Sequence, residues 1–199
     1  MSEGLRFRPR CREAGRRTTA AALLVLCLCL SGCASVPFST MARMSTFTER
    51  DFAALDAEVV RVRITLPEAF ALDVGKSWLG VELTSAAGAH QSTFELDQEH
   101  VQTGVIPGIF SRSQRGIVYV LRLSAPSQAK FRDLQRFMGR GRADQVSIRV
   151  VPRLASFPTN AASVKVWIDL LLSKTQDYFT LVDGATVDLQ KLRAPGAGS

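Results

Sequence analysis

His90 and His100 are the only histidines of the chain, and they flank the carboxylates Glu95, Asp97 and Glu99. Carboxylates at i, i+2 and i+4 share one face of an extended strand, and three such oxygen donors suit a divalent cation. On a regular strand His100 has the opposite parity, which divides the set. A solvated strand face is the simpler expectation, with no metal and no cofactor. Nucleophilic catalysis would be signalled by a serine in a Gly-x-Ser-x-Gly elbow, and none occurs. A Gly-rich phosphate loop and a His-Glu-x-x-His pair are absent from the sequence too. The expectation is a non-enzymatic protein, since only a site assembled from scattered residues would escape these patterns.

Two stretches have the composition of recognition surfaces. Residues 102–116 read QTGVIPGIFSRSQRG, with Val105, Ile106, Ile109 and Phe110 around Pro107-Gly108, and Arg112 and Arg115 behind them. An apolar tip with a basic flank suits a partner groove or an anionic headgroup layer. The competing reading folds this tip over the open end of the domain, because soluble proteins seldom expose four large apolar side chains together. The second stretch holds Arg132, Arg136 and Arg140 at i, i+4 spacing on one helix face, extended by Lys130. It would meet acidic lipid or glycan phosphate, or stand as an ordinary solvated face. Trp78 and Trp167 each fall singly in a strand pattern and are expected to pack.

These residues need elements to carry them, and the prevailing period is two. Val60, Val62, Ile64 and Leu66 alternate with Arg61, Arg63 and Thr65, and Pro67 closes the run. The same alternation recurs at Leu79–Leu83, Phe94–Leu96, Ile117–Leu123, Val146–Val150 and Val164–Leu172. Tyr178–Val182 and Ala185–Leu189 are joined by Asp183-Gly184, a dipeptide that predicts a tight hairpin. One segment departs from the pattern. Ser124-Ala125-Pro126 is a helix start and Gly139 a stop, and between them Phe131, Leu134, Phe137 and Met138 make an apolar stripe. The predicted fold is mainly β: an antiparallel β-sandwich of about seven to nine strands, with one amphipathic helix over about 125–139 packed on it.

The first part of the chain follows other rules. Residues 1–19 are polar and arginine-rich, and residues 20–30, AAALLVLCLCL, form an unbroken apolar run of eleven. That is the length of a signal-peptide core and too short to span a bilayer of ~30 Å. The run ends in Leu30-Ser31-Gly32-Cys33, which resembles the lipobox of bacterial lipoprotein precursors at all four positions. The resemblance covers residues 1–34 and is silent on the rest. It implies that the Cys33 thiol receives a diacylglyceryl group and that a peptidase cuts before Cys33. Two or three acyl chains, at roughly 0.8 kcal/mol per buried methylene, would then hold the protein on the membrane. Ala34 follows the cysteine where an Asp commonly signals inner-membrane retention, so the resemblance implies the periplasmic face of the outer membrane. Arg16-Arg17 resembles a twin-arginine export signal, but Thr18-Thr19 fits that motif poorly, and ordinary export is expected.

This division organises the chain: 1–32 a signal peptide, 33–56 a lipidated tether with a short helical turn, 57–192 the β-domain, and 193–199 a disordered tail. The tether reading rests on 34–46, which show no clear period, and the turn on a capping box at Thr46-Phe47-Thr48-Glu49. The division also decides the charge. The formal net charge is +7, but residues 1–32 hold six of 25 basic and two of 18 acidic residues, which leaves 19 against 16. A net of +3 over the remaining chain gives little support to nucleic acid as a partner, which wants a concentrated basic face. Cys11, Cys27 and Cys29 precede the cut, so Cys33 alone remains, too few for a disulfide or a cysteine metal site. Partners are expected to be the membrane, through the lipid on Cys33, and an envelope protein on which the domain docks as an accessory subunit of a transport, secretion or assembly system. Alternatives are a module holding a lipid-like ligand between the sheets or under the helix, and an envelope hydrolase.

Overall fold

A computed structural model describes residues 36–85, 88–106, 113–138 and 145–190. The architecture is mainly β and antiparallel, as the alternation requires. Two short helices, α1 (Phe38–Ser45) and α2 (Glu49–Ala53), lead into strands β1 (Arg61–Pro67), β2 (Ala71–Leu72), β3 (Trp78–Ser85), β4 (Gly88–Ile106) and β5 (Gln114–Leu123). Helix α3 (Ala125–Met138) follows, then β6 (Gln145–Val151), β7 (Leu154–Ser156), β8 (Ser163–Leu171) and β9 (Phe179–Asp188).

Seven strands make one curled sheet in the order β6-β3-β4-β5-β1-β8-β9, and β2 pairs with β7 beside it. The nineteen-residue β4 joins the two halves of the sheet. Its first part pairs with β3 (Trp78 opposite Glu95) and its second with β5 (Leu96 opposite Leu123). One apolar cluster draws on both halves, with Leu79, Val81 and Leu83 from one and Val62, Ile64 and Leu66 from the other. Strand β1 shows the cause most plainly: its apolar residues are buried and its polar ones half-buried, in strict alternation.

Helix α3 begins where Ser124 accepts a hydrogen bond from the Ser127 N–H on its Oγ (3.3 Å), as the cap reading predicts. It seals the sheet with Phe131, whose ring lies 4.8 Å from that of Phe52 and 5.3 Å from that of Phe94. Leu134 and Met138 are buried with it, whereas Phe137 is 62% exposed and rests against His90. The expected apolar stripe therefore loses its outermost member, which lies about 100° round the helix from Met138.

Three local expectations are corrected. Asp183-Gly184 does not turn a hairpin. Val166 faces Ala185 and Ile168 faces Val182, so the two residues oppose Trp167 alone and form a bulge within one continuous strand. Gly184 has φ +65° there, the backbone region a primed turn shares with a glycine bulge, which is why the dipeptide reads as either. The stretch read as tether holds a helix, α1, whose buried Thr40 donates to the Thr180 carbonyl of β9. The capping box moves with it. Thr46 is the C-cap of α1, and the box belongs to Thr48 and Asp51, whose carboxylate accepts from the Thr48 N–H (2.8 Å). That bond lowers the Asp51 pKa below its ordinary value, with the Thr48 hydroxyl adding to it.

The sheet ends at two edges, β6 and β9, and α1 lies by both. Thr40 and Arg43 engage β9, the latter with its guanidinium 4.3 Å from the Phe179 ring centre. Met41 and Met44 line a groove of about 320 Å³ together with Gln145–Ile148 of β6. Covering strand edges with a helix removes them as templates for aggregation.

Candidate functional site

The polar face of β1 is the centre of the most organised array of charged groups. Arg61, Arg63 and Thr65 lie on the side of the strand away from the core, and each cation is held by a partner far off in sequence. Arg61 grips Glu99 with two bonds, Nε to Oε2 at 2.5 Å and Nη2 to Oε1 at 2.9 Å. The Arg61 bond holds the Glu99 carboxyl below the usual glutamate range against a smaller upward push from burial. Arg63 donates from Nε to Asp169 Oδ2 (2.9 Å), while the other oxygen of Asp169 accepts from the Thr180 hydroxyl (2.7 Å). The Arg63 guanidinium also sits 4.4 Å from the Tyr178 ring centre. Burial raises the Tyr178 phenol pKa, and the charge of Arg63 opposes that rise.

Beside this array runs an open groove of about 310 Å³, lined by Arg63, Thr65, Gly104, Val118, Trp167 and Asp169 and reaching Val105 and Ile106. That volume is at the lower end for small-molecule pockets. Gly104 gives the Val118 side chain its room there, because a Cβ at 104 would stand 2.7 Å from Val118 Cγ2. Trp167 thus lines a groove as well as packing against Gly184. The groove offers an indole beside a paired cation and anion.

The carboxylates singled out between the histidines are placed by a bulge in β4. Gln98 faces Leu121 and His100 faces Val120, so Glu99 is the extra residue. His100 thereby joins the face of Asp97, opposite to what a regular strand gives, while Glu99 turns to Arg61. Among the described residues no three His, Cys, Asp or Glu side chains are grouped to hold a metal ion. A wider groove of about 630 Å³ lies between the two short helices and residues 172–176. Two of its charged groups serve local structure, Asp51 in the cap of α2 and Arg43 on Phe179 and Gln176.

The predicted recognition loop is described only at its roots. Val105 is 72% exposed and Ile106 is 4% exposed, packed where a Gly116 Cβ would meet it at 2.8 Å. Arg115 is exposed at the start of β5. Ile109, Phe110 and Arg112 lie outside the described residues, as do Cys33 and Arg140. No family model, curated protein or solved structure matches the chain.

The basic stretch of α3 is less uniform than its spacing implies. Lys130 donates to the Thr93 carbonyl (2.8 Å), with its ammonium 5.6 Å from the Phe94 ring centre. Arg132 bonds Glu58 at 2.8 Å, and Arg136 pairs with Asp133 one turn back. Each cation already has an acceptor within the domain, although solvent-exposed pairs of this kind hold weakly. Arg61, Arg63 and Asp169 carry no motif that marks them in the sequence. The available signal was two arginines on the polar side of a strongly apolar strand.

Proposed function

We propose that this chain is the precursor of a lipid-anchored protein of the bacterial envelope, acylated at Cys33, whose domain works by docking on another envelope protein. The tetrapeptide Leu30-Ser31-Gly32-Cys33, directly behind eleven apolar residues, carries this reading. Ala34 favours the periplasmic face of the outer membrane over the inner membrane. The domain acts as an accessory subunit of a transport, secretion or assembly system and performs no chemistry of its own.

The groove over β1 and the root of the β4–β5 loop support one continuous docking surface. Val105 and Ile106 belong to both, and Arg63, Asp169 and Trp167 stand fixed beside them. A ligand held under α3 is disfavoured by the rings of Phe52, Phe94 and Phe131, which already meet there.

Acylation is tested in growing cells with a fatty-acid probe. The wild-type chain incorporates the probe and runs as the shortened form, whereas Cys33→Ala takes up none and keeps its leader. Labelling that persists in Cys33→Ala would refute the anchor and the function built on it.

A further inference from the structure

Among the described residues six large apolar side chains stand exposed, and three of them fall within six positions: Val36 (37%), Phe38 (81%) and Met41 (46%). Phe38 and Met41 are i and i+3 on α1 and share one face of it. Thr40, off that face, is buried and bonded to β9. The apolar face is therefore held in place by the domain and is no part of a loose tether. Four residues, Ala34 to Pro37, separate Cys33 from Phe38. At up to about 3.6 Å per residue, Phe38 lies within roughly 18 Å of the Cys33 backbone in any conformation.

We propose that Phe38, Met41 and Val36 form a membrane-seating face, which enters the headgroup–acyl boundary of the bilayer that holds Cys33. The inference rests on acylation of Cys33. Three side chains on little more than one helical turn are far too few for a second copy of the chain, since a stable interface covers about 800 Å² per partner. A bilayer needs no such area here. The acyl chains already bring the helix to the surface, so insertion becomes an intramolecular step at high effective concentration. Seating α1 in this way would fix the orientation of the domain, and with it the direction in which the β1 groove faces.

The mature acylated chain carries no thiol, because Cys11, Cys27 and Cys29 precede the cut and Cys33 is consumed. Single cysteines at Phe38→Cys, Met41→Cys, Ser39→Cys and Lys76→Cys then take an environment-sensitive fluorophore uniquely. Each labelled lipoprotein is reconstituted into phosphatidylethanolamine–phosphatidylglycerol vesicles containing brominated acyl chains. The expected result is quenching at 38 and 41 at least about twofold stronger than at 39, the exposed neighbour off the face, and none at 76. Equal quenching at 38 and 39 would mean that the short linker alone brings the helix near, and would overturn the proposal. Absence of quenching at all four sites would overturn it equally, while leaving acylation intact. Thiol reactivity of the mature parent chain would show instead that Cys33 is unacylated, and the seating face would fall with the anchor.

Discussion

Gly184 lies against the indole of Trp167, where β9 carries an extra residue opposite β8. Its φ of +65° is a backbone state that other residues reach only with strain, and a Cβ would stand 3.3 Å from Trp167 Nε1. Gly184→Ala should therefore destabilise the domain by about 1–2 kcal/mol, read as a lower urea midpoint at constant slope. Trp167 fluorescence should shift in the same variant, since the ring must move to admit the methyl group. An unchanged midpoint would mean that the bulge is not held as described.

The same pair marks the limit of what the sequence discloses. Asp183-Gly184 announces a positive φ, but whether that φ turns the chain or swells a strand depends on what faces it, and Trp167 is a distant residue. Alternation placed β1, β3, β6 and β8 closely, because each has one face in the core. It fell short on β4, whose second half is largely solvent-exposed and so shows no apolar period. The charged array was harder still. Arg61 meets Glu99 across 38 positions and Arg63 meets Asp169 across 106, so each residue alone reads as an ordinary polar position. Helix α1 is hard to read from sequence because eight residues fastened by Thr40 and Arg43 need little apolar pattern of their own.

Phe131 and Phe137 both fall on the predicted apolar stripe of α3, and only the first is buried. Phe131→Ala removes a ring clasped between Phe52 and Phe94 and should cost about 3–5 kcal/mol. Phe137→Ala should stay within about 0.5 kcal/mol of the parent, since its ring is mostly in water. Chemical denaturation of the two variants side by side checks both, and similar losses would place the helix in the wrong rotation.

Gln135 ties α3 to the end of α2. Its amide donates to the carbonyl of Phe52 (2.9 Å), which also accepts from the Leu55 N–H, and to the carbonyl of Leu55 (2.8 Å), just beyond the helix end. Gln135→Ala should lower stability by about 1–2 kcal/mol and speed hydrogen exchange first in residues 49–55. Gln135→Glu replaces the donor with a carboxylate that repels the same carbonyls, so it should be at least as damaging. Recovery of wild-type stability by Glu would rule out the donor role.

The Arg61–Glu99 pair makes stability depend on pH in a fixed direction. Glu99 titrates lower in the folded chain than in the unfolded one, because Arg61 holds its ionised form. Its contribution is thus complete above the ordinary glutamate pKa and disappears as the pH falls through the lowered folded value. Glu99 is about one-third exposed, so after screening the pair should be worth no more than about 1 kcal/mol. Glu99→Gln should be less stable than the parent by that amount at pH 7. The difference should shrink towards zero in acid, as paired melting curves between pH 7 and pH 3 would reveal. A gap that widens in acid would contradict the assigned shift.

Docking through the β1 groove and the loop root predicts that function and folding separate cleanly at Val105. Its side chain is largely in water, so Val105→Asp should leave the denaturation midpoint within about 0.5 kcal/mol of the parent. A photo-reactive residue placed at 105 or 115 in living cells should capture one envelope protein, and Val105→Asp with the probe at 115 should lose that product. The same probe at Lys76, on an exposed turn apart from the groove, serves as the reference for chance neighbours. If position 115 gives the same products with and without Val105→Asp, the surface is not where the partner binds. The acyl anchor would then be the better guide to the protein's role.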